Sequence, residues 1–570
     1  MENRWFRPEY VKSIPKLLDE STHKYASKAA LIYFGKKISY WELHDLSLRT
    51  ASFVVDNSSP DARVAILMPN IPQFIVCYYG ILRTGRIAVP INFLSIADDL
   101  KSKPTNKILV SEEIAAQLKN SKPSIIFVAD FLYPILRQVE LNWLHRIVVV
   151  SISKFLPFFM KLLYLLKALK EGMYAGTFPN DVLKLEQVLK KCKPYLGDYP
   201  TVGDIAQIQY TGGTTDMPKG AMLTHKNLVS NFLQAREHLG ELIRDNHEVV
   251  LGALPFFHIY GLTVAINATL LSFGGTTVLM PSFSPKKAMQ SIKKYRITLF
   301  PGINRMYQSM VGYTESLYRL ADLSSLKLCI SGAGRIDAST WKRFKELSAT
   351  EFVEGYGLSE TSPIISVTLP SDTERPGPEK GNLVGKVLPE TEVKILDIDN
   401  GSELTTKNIG IITVRGPQVM SGYYNNPKAT AEVLKNGWFN TGDIGYLDLE
   451  GNLYFVDRIK DVVKRRGENI HASNIEKVLA NCPLIAEAAV LGLNDVKDGE
   501  VPVACVVLKN NSENNEAEIS KAILLYMRSN VPYLEVPAKV FIFLSLDKFK
   551  NPMGKLLKRK LKEEVLARVS

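Results

Sequence analysis

Short apolar runs recur along this chain, each too brief for an amphipathic helix and each followed by a longer helical segment. Residues 63–92, RVAILMPNIPQFIVCYYGILRTGRIAVPIN, read as an apolar strand, a helix and a second apolar strand. Similar alternation surrounds TTVLM (276–280), ITLFPG (297–302) and LKLCISGAG (326–334). Apolar strands separated by helices predict parallel sheets covered on both faces, an α/β fold. After about residue 365 the texture changes, and 384–417 predicts short strands with polar turns, a small β unit. From about 460 the alternation resumes, with strands at AAVLGL (488–493) and VPVACVVL (501–508) and a helix at 515–529. That tail predicts a separate small α/β domain. No internal repeat or low-complexity tract interrupts the order.

Length and composition narrow this picture. A chain of 570 residues is too long for one core and predicts three or four structural units. With 46% hydrophobic and 22% charged residues it is an ordinary folded protein. The five cysteines (Cys77, Cys192, Cys329, Cys482, Cys505) are scattered and form no CxxC pair. This argues against a disulfide framework or zinc site and predicts a reducing, cytoplasmic setting. The start, MENRWFRPEY, lacks the apolar stretch of a secretory signal, and neither terminus carries a lipidation motif. A net charge of +12 favours anionic partners: nucleotides, a phosphorylated cofactor or acidic lipid surfaces. The basic residues are spread along the chain with no nucleic-acid-binding signature, so no nucleic-acid partner is expected.

FLPFFMKLLYLLKALK (155–170) is too short and too lysine-punctuated to span a bilayer. It reads either as a buried or partner-facing helix, or as a helix lying on an anionic membrane at the cytoplasmic face. Its lysines do not fall on one helical face, which counts against the second reading.

Candidate chemistry begins at YTGGTTDMPKGAMLTH (210–225), where small residues, hydroxyls and a lysine have the composition of a loop that wraps phosphates. The Walker A pattern cannot be fitted, because Lys219 follows Pro218 and precedes Gly220. Asp216 places a carboxylate in the middle of a loop that should welcome anions.

The run resembles the phosphate-binding loop of the adenylate-forming, or AMP-binding, superfamily, and further segments resemble other motifs of that family in its order. These are PFFHIYGL (255–262), LFPGINRMYQSM (299–310), SGAGRI (331–336), EGYGLSETSP (354–363), the stretch 422–476, and NPMGKLLKRKL (551–561). The resemblance covers nearly the whole chain. It implies a large N-terminal adenylation domain, 1–458, of two doubly wound α/β subdomains plus a small β-barrel-like subdomain. A small mobile α/β domain, 459–570, would follow a hinge near Lys460.

The resemblance also implies roles. Thr211, Gly212, Gly213, Thr214, Thr215 and Lys219 would hold the ATP phosphates, and Glu360 would bind Mg²⁺. Ser359 keeps the hydroxyl of the family's usual threonine, for the α-phosphate. Tyr356, with Gly357 in the same motif, would stack on adenine, and the backbone of Ala333 and Gly334 would contact its amino group. Asp443 would accept from the ribose hydroxyls, with Arg458 nearby. His258 would wall or gate the acyl pocket. Lys555, which read alone begins a basic, solvated helix, would supply the cation for adenylation. Gly467, in KRRGENI (464–470), would let backbone approach the pantetheine arm of coenzyme A after domain rotation.

A carboxylate is already nucleophilic, so its attack on the α-phosphate needs alignment and charge neutralisation more than a base. The double glycine of TGGTT is most similar to long-chain fatty acyl-CoA ligases, so the expected reaction joins a medium- or long-chain fatty acid to coenzyme A through acyl-AMP. Two other readings stay open: loading of an acyl carrier protein, and a catalytically weak acyl- or membrane-binding relative. Departures from the family pattern are Arg335 for proline, HASN (471–474) for YPxE, Arg466 for a small residue, Asn551 for threonine and Asp216 for glycine. A homodimer is compatible with this reading, which leaves the oligomeric state open.

Overall fold

A computed structural model describes residues 7, 10–94, 112–157, 160–162, 178–179, 181–211, 218–317, 322–372, 381–509, 516–550 and 556–569. The chain divides into two compact units. The first holds Met1–Thr373, Leu388–Thr391 and Arg415–Gly437; the second holds Glu374–Val387, Glu392–Val414 and Trp438–Ser570.

The first unit is built on two mostly parallel sheets. In one, the strands run in the order Lys36–Ser39, Ala29–Tyr33, Thr276–Leu279, Val249–Gly252, Leu299–Gly302, Leu328–Ser331, Glu351–Gly357 and Ile364–Val367. All neighbours are parallel except at Lys36–Ser39 and Ile364–Val367, which are antiparallel. In the other, the order is Gly422–Tyr423, Gly220–Thr224, Ile205–Tyr210, Ile87–Pro90, Arg63–Leu67, Ile125–Ala129, Arg146–Val150 and Val182–Lys184. It is parallel from Ile205–Tyr210 onward and antiparallel across the hairpin before it.

The expected strand–helix–strand over 63–92 is Arg63–Leu67, Pro72–Arg83 and Ile87–Pro90. Proline in the first turn of the helix fits its fixed φ and missing N–H. Every residue of this helix is buried, which explains its apolar run from Phe74 to Leu82. It lies so close to the helix Tyr40–Asp56 that a Cβ on Gly80 would sit 2.7 Å from Thr50 Cβ.

The second unit carries the strands Glu392–Leu396, Gly410–Arg415 (up to Val414), Trp438–Leu447, Asn452–Arg458 and Asn382–Val387 in that order, the expected short β elements. A further sheet has the order Glu468–His471, Val462–Arg465, Gly499–Leu508, Ile485–Asp495, with Lys539–Phe543 beside Gly499–Leu508. Alternation sends Val490, Ala504 and Val506 to one face, against the helices Ala472–Ala480 and Glu516–Asn530. It sends Ala489, Leu491, Val503 and Cys505 to the other, against Leu561 and Val565 of Lys558–Val569. No helix among the described residues is long and apolar enough to cross a membrane. Of 155–170, only 155–157 and 160–162 lie within them.

Candidate active site

In the first unit the expected site residues sit at strand ends and the turns after them. The strands Ile205–Tyr210 and Gly220–Thr224 pair antiparallel, with Tyr210 opposite Gly220. The Thr211 N–H donates to the Lys219 carbonyl (2.9 Å), closing the neck of the intervening loop. Gly212, Gly213, Thr214 and Thr215, with Asp216, lie outside the described residues, as does Lys555. The hairpin leads into the helix His225–Leu239, which opens on a reciprocal cap: Thr224 Oγ1 accepts from Asn227 N (3.0 Å) and Asn227 Oδ1 from Thr224 N (2.9 Å).

Glu351–Gly357 delivers Tyr356, half-buried, and Gly357, then a short turn, Ser359–Thr361, carries Ser359 and Glu360. The turn folds back tightly: a Cβ on Gly357 would lie 1.8 Å from the Pro363 carbonyl oxygen, so only glycine fits. Glu360 is 8% exposed, and one carboxylate oxygen accepts from Tyr423 Oη at 2.7 Å. Burial, then the charge of Glu360, pushes the Tyr423 phenol upward, so it stays a donor. Lys219 Nζ lies 5.2 Å from the centroid of the same ring. Tyr423 therefore brings Lys219 and Glu360 to one place.

SGAGRI is a turn after Leu328–Ser331 in which Ala333 (φ +60°) adopts the left-handed conformation and Ala333 and Gly334 are exposed. Burial raises Glu354, just before the tyrosine motif, to about 7, offset in part by Arg335 and the Ile336 N–H.

His258 occupies a segment that meets all three of these elements. Its Nδ1 accepts from the Tyr260 N–H (3.3 Å), which leaves the ring proton on Nε2. Gln209, two residues before Thr211, donates to the Phe257 carbonyl at 2.9 Å. Tyr260 Oη donates to the carbonyls of Ile330 (2.7 Å) and Gly302 (3.2 Å), and its ring lies against Gly332, where a Cβ would be 2.8 Å away. Thr263 Oγ1 donates to the Ser362 carbonyl (3.2 Å).

The second unit holds Asp443 and Arg458 opposite each other on paired strands, with Arg458 Nε 3.5 Å from Asp443 Oδ1 and Asp443 nearly buried. Lys460 sits in a short helical turn, Ile459–Asp461. Gly467 lies in the turn between Val462–Arg465 and Glu468–His471 with φ +85° and open space around it, so the backbone angle is what favours glycine. Beside it Arg466 (φ +52°) and the buried Arg465 both bind Asp498, at 2.7 and 2.9 Å.

Sequence reasoning gave no role to Tyr423, Gln209, Asn227 or Asn231. Asn231 pairs with both backbone groups of Ile364 (2.7 and 3.0 Å), and Asn227 Nδ2 donates to the carbonyls of Pro417 (2.8 Å) and Val419 (2.9 Å). The available signal was spacing: Asn227, Asn231 and Gln234 recur at helical intervals on one side of a helix.

The chain has clear relatives. The profile described as AMP-binding enzyme matches residues 18–424, and the profile for the AMP-binding enzyme C-terminal domain matches 474–555. A long-chain-fatty-acid–CoA ligase of Bacillus subtilis (strain 168) is 33% identical over 558 residues, spanning 97% of this chain and 94% of the relative. Among solved structures, ATP-bound MatB from Rhodopseudomonas palustris superposes with a TM-score of 0.78 at 25% identity, covering 96% of this chain and 98% of that one. The o-succinylbenzoate coenzyme A synthetase MenE from Bacillus subtilis, in complex with ATP and magnesium ion, gives 0.74 at 25% identity, covering 96% and 99%. Like these structures, the chain is a mixed α/β protein with a large N-terminal and a small C-terminal domain. Over residues 18–424 and 474–555 it is matched by the two domains of one enzyme family, and it belongs to that family, the adenylate-forming AMP-binding enzymes.

Proposed function

We propose that this acid–CoA ligase activates a medium- or long-chain fatty acid with ATP and transfers the acyl group to coenzyme A. The observation that carries the reading is the His258 segment, hydrogen-bonded to the phosphate-loop strand, the strand before the SGAG turn and the Glu360 turn within one folded unit. A wall shared by three nucleotide-side elements suits a reaction whose main demand is alignment of two bound substrates. The fatty-acid assignment draws on the full-length similarity to the Bacillus subtilis ligase.

In the first step a carboxylate oxygen bonds to the α-phosphorus and the bond to the bridging β-phosphate oxygen breaks, releasing pyrophosphate. Thr211, Lys219 and the loop between them would hold the phosphates, and Ser359 the α-phosphate. Tyr356 and the Ala333–Gly334 backbone would hold adenine. Among the described residues no cluster of three or more His, Cys, Asp or Glu side chains could cage a metal. The single buried carboxylate of Glu360 suits Mg²⁺, which takes most ligands from phosphates and water. Bound there, the ion would neutralise phosphate charge. Asp443 and Arg458 would serve the ribose, and Lys555 the negative charge that develops during attack.

In the second step the thiol sulfur bonds to the acyl carbon, AMP departs with the bonding electrons and the thiol proton passes to solvent. Lys555 is needed for the first step and obstructs the second, so rotation about Lys460 would exchange it for the Gly467 turn.

The test is a panel of acids from acetate to long-chain and aromatic, o-succinylbenzoate included, with ATP, Mg²⁺ and either coenzyme A or a carrier protein. Mass spectrometry should find acyl-AMP and acyl-CoA with the longer aliphatic acids. Turnover confined to aromatic acids would overturn the substrate assignment, and pyrophosphate release with none would favour a binding protein. Lys555→Ala should abolish acyl-AMP formation without unfolding the chain.

A further inference from the structure

Gln207 and Gln209 lie two residues apart on the strand Ile205–Tyr210, so both side chains project from one face. They are 0% and 2% exposed. Two amides on the buried face of a strand are costly unless each finds partners, and these do. Tyr78 Oη donates to Gln207 Oε1 (2.8 Å), Gln207 Nε2 donates to Gln209 Oε1 (3.2 Å), and Gln209 Nε2 donates to the carbonyls of Phe257 (2.9 Å) and Tyr210 (3.3 Å). The donors all point one way along the chain of bonds, so neither amide can flip without breaking it.

The bond to Phe257 is the telling one. Gln209 sits two residues before Thr211, at the mouth of the phosphate loop, and Phe257 immediately precedes His258. The same segment is gripped a second time by Asn70, which follows the strand Arg63–Leu67 of the same sheet. Its Nδ2 donates to the Leu254 carbonyl (2.7 Å), and its Oδ1 accepts from the Phe256 N–H (2.9 Å). Asn70 and Gln209 thus come from one sheet of the first unit and hold the 254–257 backbone that leaves Val249–Gly252 of the other. Asn70 would fix where that segment lies; Gln209 ties it to the strand that enters the phosphate loop.

We propose that Gln209 is a positioning residue that registers the acyl-side His258 segment against the phosphate loop, setting the placement of the two substrates relative to each other. The inference rests on the adenylating reading of the site. A residue with this role governs the alignment of carboxylate and α-phosphate, and a shift of about 1 Å in such an alignment can cost about 100-fold in rate. It contributes little to holding either substrate alone.

The experiment uses the full chain with Gln209→Met and Gln209→Leu, which keep about the same volume and lose the donor toward Phe257. Three affinities are measured: AMP, palmitate, and the acyl-sulfamoyl adenosine that joins a palmitoyl chain to the nucleoside. The kcat of ATP–pyrophosphate exchange is measured alongside. Each separate ligand should bind within about threefold of wild type, while the joined ligand weakens at least about tenfold more than the product of the separate losses. The kcat should fall about 10- to 100-fold with the KM for ATP held. Loss of the joined ligand equal to the product of the separate losses, or an unchanged kcat, would overturn the role. Retained AMP binding shows that a variant is folded. An arm without variants is hydrogen exchange of wild type, in which AMP should slow the amides of 256–260, and unaltered exchange there would also overturn it. Wild type that exchanges pyrophosphate with no acid would sink the adenylating reading itself, an outcome distinct from an active wild type matched by its variants.

Discussion

Replacing Tyr423 with phenylalanine isolates one bond at the centre of the candidate site. The Tyr423 hydroxyl donates to Glu360 at 2.7 Å, a charge-assisted bond to a carboxylate only 8% exposed. The ring keeps its other relations in the variant, since residues 422–423 pair with the strand Gly220–Thr224 and Lys219 lies over the ring face. A hydrogen bond to a charged group contributes about 1.5–3 kcal/mol, and each 1.4 kcal/mol is about tenfold. If that bond aims the carboxylate at Mg²⁺, Tyr423→Phe should raise the Mg²⁺ concentration for half-maximal pyrophosphate exchange roughly 10- to 100-fold. AMP affinity in metal-free buffer should stay within about twofold, because on the proposed reading other residues hold adenine and ribose. The phenol is pushed up by burial and by Glu360, so the difference between wild type and variant should persist from neutral to mildly alkaline pH. An unchanged Mg²⁺ titration would refute the reasoning, and parallel loss of AMP binding would show that the hydroxyl acts on the fold.

Other outcomes follow from single positions. Gly357→Ala forces a Cβ to within 1.8 Å of the Pro363 oxygen, so the Glu360 turn must move; exchange activity should fall by more than about 100-fold while circular dichroism stays near wild type. His225 is buried, and burial lowers it to about 4, so it is neutral in the folded chain. The unfolded chain, with histidine near 6.5, binds the proton more readily, so this contribution is full above about pH 6.5 and is lost as pH falls toward 4, at most about 3 kcal/mol. His225→Gln should therefore flatten the decline in urea midpoint between pH 7 and 4.5. Glu354, raised to about 7, pulls the other way, so variant and wild type are compared at each pH. Asp216→Gly should lower the KM for ATP, because a carboxylate about 5 Å from a phosphate charge costs roughly 3 kcal/mol at an effective dielectric near 20, before screening. A KM that stays or rises would give Asp216 a neutral or positive role.

What could be read without coordinates follows from one rule, that apolar runs are buried, and what could not follows from its exceptions. Arg63–Leu67, Pro72–Arg83 and Ile87–Pro90 were legible because each carries a run of apolar residues without a polar face, as layers covered on both faces require. Glu360, Lys219 and Gly467 were singled out by the resemblance of their motifs to those of the AMP-binding family, and each lies in a turn or beside a strand end. The helix His225–Leu239 breaks the rule: Asn227, Asn231 and Gln234 form a polar stripe that reads as a solvated face, yet they are 8%, 0% and 0% exposed. They face backbone instead of water, bonding to groups of Ile364, Pro389, Pro417 and Val419. Asn70 and Gln209 do the same for the His258 segment, and so fell outside any search for charged or nucleophilic groups. The helix Gly261–Ser272 fails differently: it is buried almost all round, so its sequence carries no period, and it is wound as a π-helix in which Thr269 Oγ1 reaches the carbonyl of Val264, five residues back. For the buried amides the missing information was an orphaned backbone group presented by a distant part of the chain. The amides that satisfy such groups are therefore where the unread part of this site is concentrated, and substitutions at Asn70, Gln209, Asn227 and Asn231 should perturb adenylation more than their lack of charge suggests.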